Sequence, residues 1–301
     1  MMTKISVCVT TYNRDQLLDQ TLQSLYAQTR QPDELIVSDD CSIDDTQRVV
    51  KKWEKKFPRL HYNRNSRNLY MPGNLNVAVG LAKGKYVANL HDGDTFDPEM
   101  LEQWERALDS YPSAGFVFCG IGGWTHHTEF DDGVILHDVQ LFTRGRTFFE
   151  KYFLHKFSSI VWGTVMARRT VYDELLPFDP AFGFISDVDM WMRMCLKYNV
   201  AYVRKPLIIL DNSPTKERGF DWRRLEITRK MQIANIQRFY GNQPALLRRE
   251  ISCHQRVVQK LYMRRLLGRL WHQDWAGLRE GLRVCRNLGY PLLMLGVLGH
   301  G

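Results

Sequence analysis

The chain of 301 residues has only six cysteines, at positions 8, 41, 119, 195, 253 and 285, and none of them forms a CxxC or Cys/His cluster. That spacing excludes a zinc framework and gives no disulfide scaffold, so a reducing compartment is expected. Long apolar runs are also missing. Nothing reaches the roughly 18 to 20 residues that span a bilayer, and the longest candidate, 288–299, is short and contains Pro291. The opening "MMTKISVCVTTYN" lacks a signal-peptide apolar region and runs directly into a β-branched pattern. There is no internal repeat and no low-complexity tract. These absences predict a cytoplasmic protein, with a peripheral membrane contact at its C-terminal end as the one membrane role left open.

What is present is a 44% hydrophobic composition, ample for a large core, and a formal net charge of +8. The charge is unevenly placed: residues 222–301 carry 15 Lys/Arg against 4 Asp/Glu, and residues 1–221 sum to −3. The basic character therefore belongs to the tail.

Up to about residue 121, short β-rich runs alternate with helical patterns: "ISVCVT", "DQLLDQTLQSLYAQ", "ELIVS", "DDTQRVVKKWEKKF", "LHYNRN", "GNLNVAVGLAKG", "YVANL", "PEMLEQWERALDSY" and "GFVFCGIG". Strands alternating with helices of 10 to 15 residues predict βαβ units in an α/β, doubly wound and mostly parallel sheet. Such sheets bind ligands beyond the carboxyl ends of their strands. That rule directs interest to "TTYNR", "DDCSIDD" and "HDGD", each of which comes directly after a strand. Residues 122–221 are less regular, with a strand at "WGTVMA", a helix at "DVDMWMRMCLKY" and a strand at "AYVRKPLIIL". From Trp222 the pattern is helical and basic.

The acidic turn Asp92-Gly93-Asp94 ends a buried run. One reading is a solvated turn with Asp97 capping a helix that begins at Pro98, which accounts for Asp97 alone. An EF-hand is excluded because Gly93 falls at the second position of the loop and not the sixth. The remaining reading is a hard divalent cation held by one or two carboxylates plus phosphates. Asp39 and Asp40 end a neighbouring strand, where a carboxylate can accept hydrogen bonds from a nucleobase or a ribose. Helix capping by Ser42 and Asp44 is the alternative there. Two acidic loops at adjacent strand ends are most simply explained by one nucleotide and metal pocket.

In order and spacing these motifs resemble the family 2 inverting glycosyltransferases of GT-A fold. The strand followed by Thr10-Thr11-Tyr12-Asn13-Arg14 matches the family opening, and "DDCSIDDT" (39–46) matches "DDGSTDDT" with Cys41 in place of glycine. "NVAVGLAKGKY" resembles "NxGxxxAxGxY", with Asn76 kept, Ala78 in place of glycine and Leu75 at a position that is often basic. "LHDGD" stands for "LDxDD", and "FISDVDMWMRM" for "EDxDLWLR", with Ser186 in place of Glu and Arg193 as the arginine. The resemblance implies a nucleotide-sugar site formed by Thr10, Tyr12, Arg14, Asp40, Asn76 and Asp92. It implies an Mn²⁺ or Mg²⁺ cation on Asp94, with Asp92 as second ligand, and Asp187 as general base. Asp189 is an orienting or capping neighbour, and His91 either supports the metal site or is structural. Helix capping by Ser186, with Asp187 and Asp189 in the first turn, is compatible with that chemistry. Neither a QxxRW motif nor membrane helices accompany the match, so transfer of a single sugar is implied rather than processive polymerisation.

The expected organisation is a nucleotide-sugar half (1–121), an acceptor half carrying the base (122–221) and a basic helical extension (222–301). The function implied is hexosyl or N-acetylhexosaminyl transfer from a nucleotide-diphosphate sugar to a hydroxyl of a glycan, polysaccharide or lipid-linked acceptor. Trp124, His126, His127, Tyr152, His155, Trp162 and Trp191 are acceptor-contact candidates, each with core packing as the plainer reading. In the tail, Arg248, Arg249, Arg256, Lys260, Arg264, Arg265 and Arg269 lie near Leu246, Val257, Val258, Leu261, Leu266, Leu267 and Leu270. That pattern suits either an amphipathic helix on anionic lipid or a helix packed on the catalytic domain with a solvated charged face. A catalytically silent protein that binds membrane or nucleic acid through this tail is the rival reading. No nucleic-acid module accompanies the charge, which argues against nucleic acid.

Overall fold

Ile5–Thr11 forms β1, and every one of its residues is buried, as a β-branched run covered on both faces of a sheet requires. The computed structural model describes residues 4–124, 136–210 and 222–287, with the backbone alone at 123 and 124. Contacts divide the chain into two compact units, Met1–Phe153 with Ser159–Thr215, and Leu154–Ser158 with Lys216–Gly301.

In the first unit β1 is followed by α1 (Asp15–Tyr26), β2 (Glu34–Asp39), α2 (Thr46–Glu54), β3 (Leu60–Arg64), α3 (Tyr70–Leu81), β4 (Tyr86–His91), β5 (Thr95–Phe96), α4 (Met100–Ser110) and β6 (Ala114–Trp124). Then come β7 (Phe142–Thr143), the short α5 (Gly145–Phe148), β8 (Val165–Arg168), α6 (Arg169–Leu175), α7 (Ser186–Lys197) and β9 (Asn199–Leu210). The helices bury the stripes that their sequence spacing predicts. In α1, Leu18, Thr21, Leu22 and Leu25 face inward, and in α4 Leu101, Trp104 and Leu108 do. They pack on Val7, Val9, Val37 and Leu90 of the strands to form the main core.

The sheet order is β3-β2-β1-β4-β8-β6-β9-β5, with β7 also on β9. β3, β2, β1 and β4 run parallel, as does the long β6–β9 pair. The short β5, β7 and β8 are antiparallel to their neighbours. The direction of β8 has a local consequence. Asn89 pairs with Val165 and Tyr86 with Arg168, so residues 163 and 164, just before β8, arrive at the carboxyl end of β4.

The second unit consists of α8 (Trp222–Tyr240), α9 (Pro244–Trp271) and α10 (Trp275–Asn287), together with Leu154–Ser158. Trp222, Leu225, Val258, Tyr262, Leu266, Leu278 and Cys285 form its core. Packing is tight enough that a Cβ at Gly281 would stand 2.2 Å from the Trp222 ring, and only glycine fits there. The apolar face of α9 is thus largely taken up by its own unit.

Candidate active site

The loops after β1 and β2 are laced together. Asn13 N–H donates to Ser42 Oγ at 2.8 Å, Ile43 N–H to Asn13 Oδ1 at 2.8 Å, and Asp15 N–H to Asp44 Oδ2 at 3.0 Å. Ser42, expected as a cap, thus holds these two turns, while Asp44 does both: its Oδ1 accepts from the N–H and the hydroxyl of Thr46, the first residue of α2, at 3.1 and 2.6 Å. Cys41, in the tightest part, has φ 69°. This is the left-handed region where glycine is preferred, which explains why glycine is usual in that motif.

Asp39 and Asp40 diverge. Asp39 accepts from Ser42 N–H and from the Tyr62 hydroxyl, at 2.8 and 2.7 Å, with Arg64 Nε 3.6 Å away. Asp40 accepts from Asn65 Nδ2 at 2.9 Å and from the backbone N–H groups of Leu69 and Tyr70, both at 2.8 Å. Its carboxylate anchors the start of α3. Asn76 is engaged in a similar way: its amide donates to Phe178 O at 3.0 Å and accepts from Phe178 N–H at 2.8 Å. Both side chains, expected at the nucleotide, are thus engaged in holding main chain.

A different set converges beyond β1 and β4. Asp92 Oδ2 accepts from Thr11 Oγ1 at 2.8 Å, and Asp92 Oδ1 pairs with Arg14 Nη1 at 2.9 Å. Burial pushes the Asp92 carboxyl above its ordinary range; Arg14, Thr11 and His91 pull it back, and Asp94 pushes it up again. Asp94 is buried too, with Thr164 Oγ1 donating to its Oδ2 at 3.2 Å and Thr21 Oγ1 donating to its carbonyl at 2.7 Å. Thr10 lies opposite His91 in register, and the Tyr12 ring is exposed at the rim. Asp97 is not the cap of a helix beginning at Pro98: α4 begins at Met100 after Glu99, which makes no side-chain cap bond, and Asp97 Oδ1 accepts from Glu99 N–H at 2.9 Å in the turn ahead of it.

Asp187 joins this end of the sheet through Gly163. A Cβ at position 163 would stand 2.2 Å from His91 Nε2 and 3.0 Å from Asp187 Oδ2. The imidazole and the carboxylate thus share one glycine, whose carbonyl accepts from Asn89 Nδ2 at 2.9 Å. Asp187 lies in the first turn of α7. Asp189 pairs with Arg193 at 2.8 Å, and Arg193 also donates to Pro177 O at 3.0 Å. This makes Asp189 a structural partner of Arg193. Ser186 is not the cap: the residue before α7 is Ile185, and Ser186 Oγ is buried without a partner.

Sequence reasoning missed Thr11, Gly163 and Thr164 as members of this group. A glycine immediately before a strand signals a close backbone approach, and "WGTVMA" contained that sign. Among the acceptor candidates, Trp191 is fully buried and stacked on Phe116, and Tyr152 packs on Phe148. His155 pairs with Glu250 in the second unit. Trp162, beside Gly163, is the one left exposed at this end of the sheet. His126, His127 and the side chain of Trp124 lie outside the described residues.

The donor set fits a hard divalent cation. It offers two buried carboxylates, Asp92 and Asp94, at a strand end. A cation here would draw its remaining oxygens from phosphate and water, as Mg²⁺ and Mn²⁺ do. Residues 6–176 match the family described as Glycosyl transferase family 2. The chain belongs to that family.

One curated relative of this family 2 chain, a GalNAc(5)-diNAcBac-PP-undecaprenol beta-1,3-glucosyltransferase of Campylobacter jejuni, is 40% identical over 94 residues. Those residues make up 31% of this chain and 30% of the relative. The matched stretches span 13%, 63% and 66% of three other curated relatives, in each case less than two thirds of their length. Among solved structures, S. aureus TarS 1–349 in complex with UDP-GlcNAc aligns at TM-score 0.61 and 18% identity, covering 94% of this chain and 92% of that one. The mannosyltransferase PcManGT from Pyrobaculum calidifontis, in complex with GDP-Man and Mn²⁺, aligns at TM-score 0.55 and 16% identity, covering 95% and 86%. At these identities the likeness is one of fold, and it identifies the mixed sheet with flanking helices as GT-A-like.

Proposed function

We propose that this family 2 protein is a metal-dependent inverting glycosyltransferase that moves one hexosyl or N-acetylhexosaminyl residue from a nucleotide-diphosphate sugar to a hydroxyl of a glycan, polysaccharide or lipid-linked acceptor. The observation that carries it is the pair of buried carboxylates, Asp92 and Asp94, at the carboxyl end of β4, with Asp187 and His91 approaching Gly163, the neighbour of the Thr164 that bonds Asp94. The undecaprenol-linked substrate in the name of the Campylobacter relative, and the nucleotide sugars bound by TarS and PcManGT, support the donor and acceptor classes. Work at the inner face of the cell membrane, with peripheral contact through the basic helices, accords with a lipid-linked acceptor.

In this reading Thr11 and Arg14 fix the Asp92 carboxylate beside Asp94. A divalent cation, Mn²⁺ or Mg²⁺, held by Asp94 with Asp92 would supply Lewis-acid neutralisation of the departing diphosphate. Asp187 accepts the proton of the acceptor hydroxyl as its oxygen forms the bond to the anomeric carbon. The bond from that carbon to the diphosphate breaks, and its electron pair leaves with the nucleotide. Attack from the face opposite the leaving group inverts the anomeric centre. Thr10, Tyr12 and Arg14 border the nucleotide, and Trp162 borders the acceptor.

Calorimetric titration with nucleoside diphosphates, with and without Mn²⁺, tests the donor half. Metal-enhanced binding that is lost in Asp94→Ala is expected, and binding indifferent to both changes would overturn it. A nucleotide-sugar hydrolysis panel tests the base: Asp187→Asn should keep nucleotide binding and lose turnover by about 10²-fold or more.

A further inference from the structure

The turn between α9 and α10 carries a surface that the candidate active site does not use. Trp271, the last residue of α9, is 84% exposed, and Trp275, the first of α10, is 57% exposed. Leu267, one turn before Trp271, is 47% exposed. Elsewhere in this hairpin the apolar side chains do what amphipathic spacing predicts, and Val258, Tyr262, Leu266 and Leu278 pack inward on Trp222. Two exposed tryptophans separated by three residues are a departure from that rule.

The turn holding them is well built. His272 N–H donates to Gly268 O at 3.0 Å, Asp274 N–H to Arg269 O at 2.9 Å, and Gly277 N–H to Asp274 Oδ1 at 2.9 Å, which caps α10. The other Asp274 oxygen pairs with Arg269, so the acid at the turn is neutralised from within. Basic residues run back from each tryptophan along its own helix. On α9 the exposed stripe is Lys260, Arg264, Leu267, Trp271, and on α10 it is Trp275, Arg279, Arg283, Arg286. These spacings of three and four keep each stripe on one helical face. At 1.5 Å per residue, Arg264 lies about 10 Å behind Trp271, and Arg279 about 6 Å behind Trp275.

Indole rings at a tip, with guanidinium groups one headgroup depth behind them, match the layers of a bilayer interface. Trp favours the boundary between headgroups and acyl chains, while Arg and Lys meet the phosphates. We propose that the α9–α10 turn is the membrane-docking surface of this protein: Trp271 and Trp275 enter the interface of an anionic bilayer, and Lys260, Arg264, Arg279 and Arg283 bind lipid phosphates. This rests on the peripheral contact included in the proposed function and gives it an address. The exposed indole pair favours lipid over nucleic acid, because a phosphodiester surface attracts the arginines but offers the rings no apolar layer to enter.

The test is co-sedimentation of the full chain with vesicles of phosphatidylcholine alone and of phosphatidylcholine mixed with phosphatidylglycerol. The expected result is binding to the anionic vesicles that weakens at least about tenfold in Trp271→Ala/Trp275→Ala. Each of Arg264→Gln and Arg279→Gln should weaken it by roughly fivefold. Circular dichroism and thermal unfolding of the same samples check that the variants are folded, and nucleoside diphosphate titration separates failure of this proposal from failure of the transfer reading. Undiminished vesicle binding by the double tryptophan variant would overturn the proposal. So would equal binding to neutral and anionic vesicles, or a soluble dimer that the tryptophan changes convert to monomer while vesicle binding is absent. Nucleic acid retained equally by wild type and the double variant, with no vesicle binding, would assign the stripe to a polyanion instead.

Discussion

Arg14 Nη1 and Asp92 Oδ1 lie 2.9 Å apart, an ion pair that joins the turn after β1 to the turn after β4. Asp92 is almost wholly buried and Arg14 partly exposed, so the arginine side chain is the principal charge compensation for a carboxylate that burial disfavours. Arg14→Gln should lower unfolding stability by about 1–3 kcal/mol, less than for a fully buried pair because the guanidinium keeps some water. It should also weaken nucleoside diphosphate binding. Chemical denaturation and titration calorimetry on one variant read both effects.

Gly163→Ala tests the shared contact of His91 and Asp187. The new methyl would stand 2.2 Å from His91 Nε2, so the ring must move, at a cost of about 1–3 kcal/mol typical of overpacking. Turnover should fall more than donor binding does. Adding His91→Ala opens the space, so the double variant should be more stable than Gly163→Ala combined additively with His91→Ala. A double-mutant cycle with no coupling would separate the two residues.

Cys41 occupies a left-handed backbone position, with φ 69°. Cys41→Gly should therefore stabilise the first unit by about 1 kcal/mol, since a Cβ is costly there. Scanning calorimetry should register this as a rise of roughly 2–4 °C in its transition. An unchanged or lowered transition would mean that the glycine's extra freedom in the unfolded chain cancels the relief.

The second unit carries an acid sensitivity of its own. His254 is buried between the rings of His155 and Phe157, and burial, assisted by His155 and Arg229, lowers its pKa from 6.5 to about 4. The unfolded chain then binds this proton more readily than the folded one. Stability is fully present above pH 6.5 and is lost as pH falls towards 4, by about 3 kcal/mol. Glu250 acts in the same direction at lower pH: burial raises its carboxyl, the hydrogen bonds from Arg249 and His155 outweigh that, and the pKa is held low. His254→Phe should flatten the stability profile between pH 6.5 and 4 in urea unfolding.

The fold was legible because it is written in short-range patterns. β-branched runs such as "ISVCVTT" and inward stripes such as Leu18, Leu22 and Leu25 state a period, and period determines element and class. The antiparallel β8 was less visible, since four residues state no direction. In the site, the sequence drew attention to Asp92, Asp94 and Asp187 from their places after a strand and at a helix start. It could not tell that Asp40 and Asn76 would be taken up by the Leu69–Tyr70 and Phe178 backbones, because such bonds join residues 29 to 102 positions apart.

The order of motifs alone thus determined that this is a doubly wound α/β protein with acidic strand ends, because strands, helices and turns arise from neighbouring residues. Tertiary structure alone decided which carboxylates stand together. Asp92 reached Arg14 because β1 pairs with β4, and Asp94 reached Thr164, and Asp187 and His91 came to Gly163, only when the pairing of β8 with β4 carried residues 163 and 164 to that end of the sheet. It likewise decided that α9 buries Leu266 and leaves Trp271 outside, since burial depends on what else the chain brings to each face.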